Sequence, residues 1–108
     1  MDKVEFDIAL ECRIKKIMRV LDKKSKEYAF GDMLSNFKAA GRLSNEIPEK
    51  ALLGMMMKHI VSLVDLITSM NDEWEYPRIL FDEKIGDAIN YLILLECLII
   101  ERKIEEKK

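Results

Sequence analysis

The chain has 108 residues, 49% hydrophobic and 35% charged, and its 18 Lys and Arg against 20 Asp and Glu leave a formal charge of -2. This arithmetic predicts one domain, 1–108, argues against disorder, and excludes the net positive charge of a typical nucleic-acid binder. Cys12 and Cys97 are too few and too far apart for a disulfide scaffold, and no Cys and His cluster has zinc-site spacing. The opening Met1-Asp2-Lys3-Val4-Glu5 lacks the apolar core of a signal peptide, and no run of about 18 uncharged apolar residues occurs. A reducing cytoplasm is the expected location, without membrane partners.

Few glycines and prolines and many Leu, Ile, Met, Lys and Glu predict four helices. The first runs from about Lys3 to Tyr28, with Phe6, Leu10, Ile14, Ile17, Leu21 and Tyr28 as a core stripe. The second covers roughly Asp32 to Ala40, entered through Gly31 and left through Gly41, where a glycine can supply a left-handed cap. Met33, Phe37 and Ala40 form its expected buried edge. Arg42 to Ile47 reads as a loop, and Asn45 is placed to cap a third helix with Pro48 in its first turn.

The third helix runs to about Met70. Leu52, Leu53, Met56, Met57, Ile60, Leu63, Val64 and Ile67 spread over more than one stripe, so it is expected to be covered on several sides. Residues 71–77, with Trp74 expected to pin them to the body, connect to a fourth helix from near Phe81 or Asp82 to about Glu105. A charged tail, about 102–108, is expected to fray. The apolar excess of helices three and four predicts a homodimer or larger oligomer. The Met55-Met56-Met57 run reads as gap filler, and both cysteines as small buried apolar residues.

Several polar residues interrupt this pattern. Lys58, Ser62, Asp65 and Ser69 form one line on helix three, with His59 beside it. Lys58, if buried, requires an anionic partner. His59 is either a hydrogen-bonded structural residue or a functional base. On helix four, Glu83, Asp87 and Asn90 fall at steps of four and three. Two carboxylates one turn apart suit oxygen ligation of Mg2+ or Mn2+, the alternative being a solvated face. Glu27, Asp32 and Asn36 bring further oxygens to the break after helix one, where Asp32 serves equally well as a helix cap. Lys16, Arg19, Lys23 and Lys26 share a face of helix one, either a phosphate-attracting rim or a solvated surface. No Ser-His-Asp set, glycine-rich phosphate loop or zinc motif is present.

The segment Glu83-Lys84-Ile85-Gly86-Asp87-Ala88-Ile89-Asn90-Tyr91-Leu92 resembles the second metal-binding helix of the all-α nucleoside triphosphate pyrophosphatases, the MazG-like superfamily. Glu27-Tyr28, Asp32, Asn36-Phe37, Lys58-His59 and Asp87 with Asn90-Tyr91 are similar to phage and prophage proteins carrying the nucleotide modification associated domain. Asp87 matches the aspartate of the E-x-x-D motif. Lys84 stands where the motif has glutamate, with Glu83 one position earlier, and Glu27 and Asp32 are five apart around Gly31.

The resemblance implies an all-α four-helix bundle of MazG-like type, oligomeric, that binds a nucleotide or nucleotide-derived small molecule. It implies hydrolysis of a nucleoside triphosphate to monophosphate and pyrophosphate. Glu27, Asp32, Glu83 and Asp87 would hold Mg2+, with Glu83 and Asp87 nearest the chemistry. Lys58, His59, Asn36, Asn90, Tyr28 and Tyr91 would contact ligand. One alternative is a non-catalytic phage sponge for a cyclic or modified nucleotide defence signal, needing no metal and acting in the host cytoplasm. Another is a helical module that binds a protein partner.

Overall fold

The computed structural model describes residues 1–27, 31–70 and 78–106, with side chains to residue 104. Among these residues the chain is all-helical, without a strand. It comprises two compact units, Met1–Met33 and Leu34–Lys108.

The first unit is built on α1, Lys3–Ser25. The Asp2 carboxylate caps it by accepting from the Glu5 backbone N–H at 2.8 Å, and Lys23 and Lys24 in the last turn complement the helix dipole. The helix ends three residues before the expected Tyr28, which lies outside the described residues. Its apolar stripe is not a core. Phe6 is 55% exposed, Leu10 and Ile14 are nearly as open, and no residue of α1 is buried. Beyond the helix, Gly31 takes φ +71, a left-handed conformation that suits glycine.

The second unit contains α2, Ser35–Ser44, α3, Pro48–Thr68, and α4, Arg78–Glu106. Its helices pack α2 on α3 and α3 on α4. The early turns of α3 meet the late turns of α4, Glu49 with Arg102, and the middle of α3 meets the early part of α4, His59 with Asp87. The two long helices are therefore antiparallel. Leu34, Phe37, Leu52, Met56, Ala88, Leu94 and Leu98 form the core, with Leu52 fully buried. Burial of such a leucine contributes about 1.5–3 kcal/mol.

The α2–α3 corner corrects three expectations. Helix α2 starts at Ser35, with Leu34 and not Asp32 at the cap position. Gly41 does not end α2. It lies within the helix, buried, where an added Cβ would stand 2.7 Å from the Glu46 carbonyl oxygen. The returning loop is tied there by the Glu46 N–H donating to the Gly41 carbonyl at 2.8 Å. Glycine is required at 41 for close approach, not for handedness. The left-handed cap is Asn45, φ 55, so Asn45 closes α2 rather than opening α3. Helix α3 begins with Pro48 in its first turn, as expected, behind Ile47.

Other expectations shift too. Helix α3 stops at Thr68, and α4 starts at Arg78, three residues before the expected Phe81, and continues to Glu106 into the expected charged tail. The connector 71–77, Trp74 included, lies outside the described residues. Cys12 and Cys97 are exposed, not buried. Of the methionine run, Met56 is buried, Met55 half-buried and Met57 exposed. Met33, expected on the edge of α2, is half-buried in the first unit, while Phe37 is buried and Ala40 half-buried.

Candidate functional site

The inward stripe of α3 runs from the buried Leu52 and Met56 to the half-buried His59 and Leu63, at steps of four, three and four. That of α4 runs from the half-buried Asp87 and Tyr91 to the buried Leu94 and Leu98 in the same rhythm, with the buried Asn90 beside it. Each stripe is interrupted by polar residues once, and antiparallel packing brings the two interruptions together. The His59 Nδ1 atom lies 3.3 Å from Asp87 Oδ2, with the side chains 26% and 31% exposed. The His59 ring sits 5.2 Å from the Tyr91 ring, tilted by 36°, and Phe37 of α2 lies edge-on to Tyr91 at 6.3 Å.

Two polar atoms here are buried without a hydrogen-bond partner, His59 Nδ1 and Asn90 Oδ1. The His59 atom has charge proximity to Asp87 but not the aligned geometry that a ring N–H needs. Asn90 is 5% exposed, the one buried polar side chain among the described residues of the second unit. An orphaned buried carbonyl oxygen costs about 1–3 kcal/mol, so it marks a place where something other than packing has shaped the sequence. The cluster offers a carboxylate, an imidazole, a carboxamide acceptor and an aromatic face.

Three expected site residues, His59, Asp87 and Tyr91, thus come together, with the buried Asn90 adjoining Tyr91 along α4. Others do not. Lys58 is exposed, so it is not the buried lysine whose charge had to be answered. Asn36 and Glu83 are exposed as well. Ser62 within α3 and Ser69 at its C-terminal cap donate to the carbonyls of Lys58 and Asp65, which accounts for both hydroxyls. Tyr28 lies outside the described residues.

The four carboxylates expected to share Mg2+ divide between the units, Glu27 and Asp32 in the first, Glu83 and Asp87 in the second. Glu83 faces solvent while Asp87 turns to His59. Among the described residues no group of three or more His, Cys, Asp or Glu side chains gathers to hold a metal ion. On α1, Lys26 pairs with Asp22 at 3.8 Å and Lys15 with Glu11 at 3.3 Å, both exposed, as on a solvated helix face.

A second polar region, which the sequence did not single out, lies at the other end of the α3–α4 seam. A cleft of about 340 Å³ is lined there by Lys38, Arg42, Glu49, Leu98, Glu101 and Arg102, among others. Arg102 donates to both oxygens of Glu49, at 2.6 and 2.9 Å, and Lys38 donates to Glu101. The Arg102 guanidinium holds the Glu49 carboxyl below its usual value against the opposing effect of burial. These pairs join residues 53 and 63 positions apart, beyond any local sequence signal.

Compared with protein-family models, curated proteins and solved structures, the chain matches none.

Proposed function

We propose that the chain binds a nucleotide or a nucleotide-derived small molecule, with the base end at the His59–Asp87–Asn90–Tyr91 cluster. The carrying observation is the Asn90 Oδ1 atom, buried and without a donor. A base edge carries N–H donors that answer such an acceptor, and a carboxamide can read donor and acceptor positions of a purine together. The Tyr91 and His59 rings offer aromatic surface for stacking. The Asp87 carboxylate repels phosphate but accepts from an exocyclic amine, which orients a ligand base-inward.

Binding without turnover is the form this geometry favours. Conversion of a triphosphate to monophosphate and pyrophosphate would require Glu27 and Asp32 to join Glu83 and Asp87 around Mg2+. One experiment reads both. The full chain is titrated with the common ribo- and deoxynucleoside triphosphates by calorimetry, with and without Mg2+, while pyrophosphate release is measured. We expect stoichiometric binding that weakens roughly ten- to hundredfold in Asn90→Leu, the loss of one buried hydrogen bond. Absence of binding across the panel, or binding indifferent to both Asn90→Leu and Asp87→Ala, overturns the proposal. Mg2+-dependent pyrophosphate release that vanishes in Asp87→Ala restores the catalytic form.

A further inference from the structure

Helix α3 carries a second apolar face that the second unit does not cover. Leu53, Met57, Val61 and Val64 line it, each about half exposed. Along one edge of this face stand Lys58 and Asp65, both exposed and, among the described residues, without an ion-pair partner. They are seven residues apart, roughly 10 Å along the helix, too far to neutralise each other. Gly54 lies on the same edge, where an added Cβ would meet nothing within 4 Å. A glycine inside a helix costs about 0.5–1 kcal/mol relative to alanine, and contacts within the chain give no reason for it.

From this pattern we infer that the face is the interface with a second copy of this chain, the two α3 helices packing antiparallel about a two-fold axis beside Val61 and Ser62. In an antiparallel pair related by a two-fold, like edges meet and residues pair symmetrically about the axis. An axis between 61 and 62 sets Lys58 opposite Asp65 of the second copy, and Asp65 opposite its Lys58. The unpaired charges of one chain thereby become two intermolecular ion pairs. The same register sets Gly54 opposite Ser69 and near Thr68 of the second copy, so small residues meet where the helix backbones approach. Leu53, Met57, Val61 and Val64 close the seam between them.

A lipid bilayer is the competing occupant, because α3 has the length and apolar composition of a membrane span. The charges decide against it. Lys58 and Asp65 fall in the middle and second half of the helix, where each charged group would cost about 2.5–3.5 kcal/mol in hydrocarbon. A second copy answers Lys58 and Asp65 with opposite charges instead.

The test is sedimentation equilibrium on the full chain, with far-UV circular dichroism to verify helix content. We expect a dimer that Val61→Glu converts to monomer with helicity unchanged, since Val61 is exposed within the chain. Lys58→Asp and Asp65→Lys should each weaken the dimer roughly tenfold or more by setting like charges face to face. The double variant Lys58→Asp with Asp65→Lys should restore it. A monomeric chain, a dimer indifferent to Val61→Glu, or a double variant no tighter than the singles overturns the proposal. So does co-flotation of the monomer with phosphatidylcholine vesicles.

Discussion

The two ends of the α3–α4 seam use similar residues to opposite effect. At one end Glu49, Arg102, Lys38 and Glu101 answer one another, and the bidentate Arg102 pair pins the start of α3 to the last turns of α4. Toward the other end His59 faces Asp87 across the seam with Asn90 nearby on α4, yet Asn90 Oδ1 and His59 Nδ1 find no hydrogen-bond partner. A count of polar groups does not distinguish the two regions. Satisfaction does: the charged groups at the first end are matched across the seam, whereas two buried polar atoms toward the second have no hydrogen-bond partner.

The largest test removes what the two regions share. Leu52 is fully buried on the α3 stripe, between Glu49 and His59. Leu52→Ala should cost about 2–5 kcal/mol by thermal or denaturant unfolding. If both regions depend on one packed seam, it should also weaken nucleotide binding at a temperature where the fold persists. A full-stability Leu52→Ala would show that α3 and α4 are held from elsewhere.

Asn90→Leu sharpens the contrast from the unsatisfied side. It replaces an orphaned carboxamide by an apolar group of similar size, so we expect a gain of about 1–2 kcal/mol in stability together with loss of ligand binding. A structural asparagine gives the reverse pattern, lower stability with binding unaffected. Melting curves of both forms, with and without saturating nucleotide, separate the outcomes, because a ligand bound only by the folded state raises the midpoint of the original chain alone.

How much of this contrast was legible in the sequence follows from the reach of each signal. The four helices and Pro48 at the start of α3 were readable, and helical periodicity marked His59 on α3 and Asp87 and Asn90 on α4 as polar residues interrupting apolar helices, but not that His59 would meet Asp87 and Tyr91 across the seam. The Glu49–Arg102 and Lys38–Glu101 pairs were not, since nothing within one helix says which residue of another it will meet. Gly41 and Asn45 exchanged roles for a related reason. A glycine at a helix end signals handedness locally, whereas the need of Gly41 arises from the loop that folds back onto it. The stripe of α1 was legible as amphipathic, but periodicity shows that a face is apolar without showing what covers it. Lys58 misled because its helix is apolar in composition while its own edge is solvated.

The smallest expected effect belongs to the satisfied end and is read through pH. Folding lowers the Glu49 pKa, chiefly through the hydrogen bonds from Arg102. A carboxylate with a depressed folded-state pKa binds its proton more readily when unfolded. Its stabilisation is therefore complete above the ordinary glutamate value of about 4.3 and is lost as pH falls through the lower folded value. The Arg102 side chain is 45% exposed, so solvent screening keeps the contribution below about 1 kcal/mol. Glu49→Gln should lower stability by that amount at pH 7, and the difference should close as denaturation is repeated toward pH 3. It should also shrink in molar salt, as an exposed pair must. A deficit that stays constant from pH 7 to pH 3 would mean that the Glu49 side chain stabilises this end by packing and not by its charge.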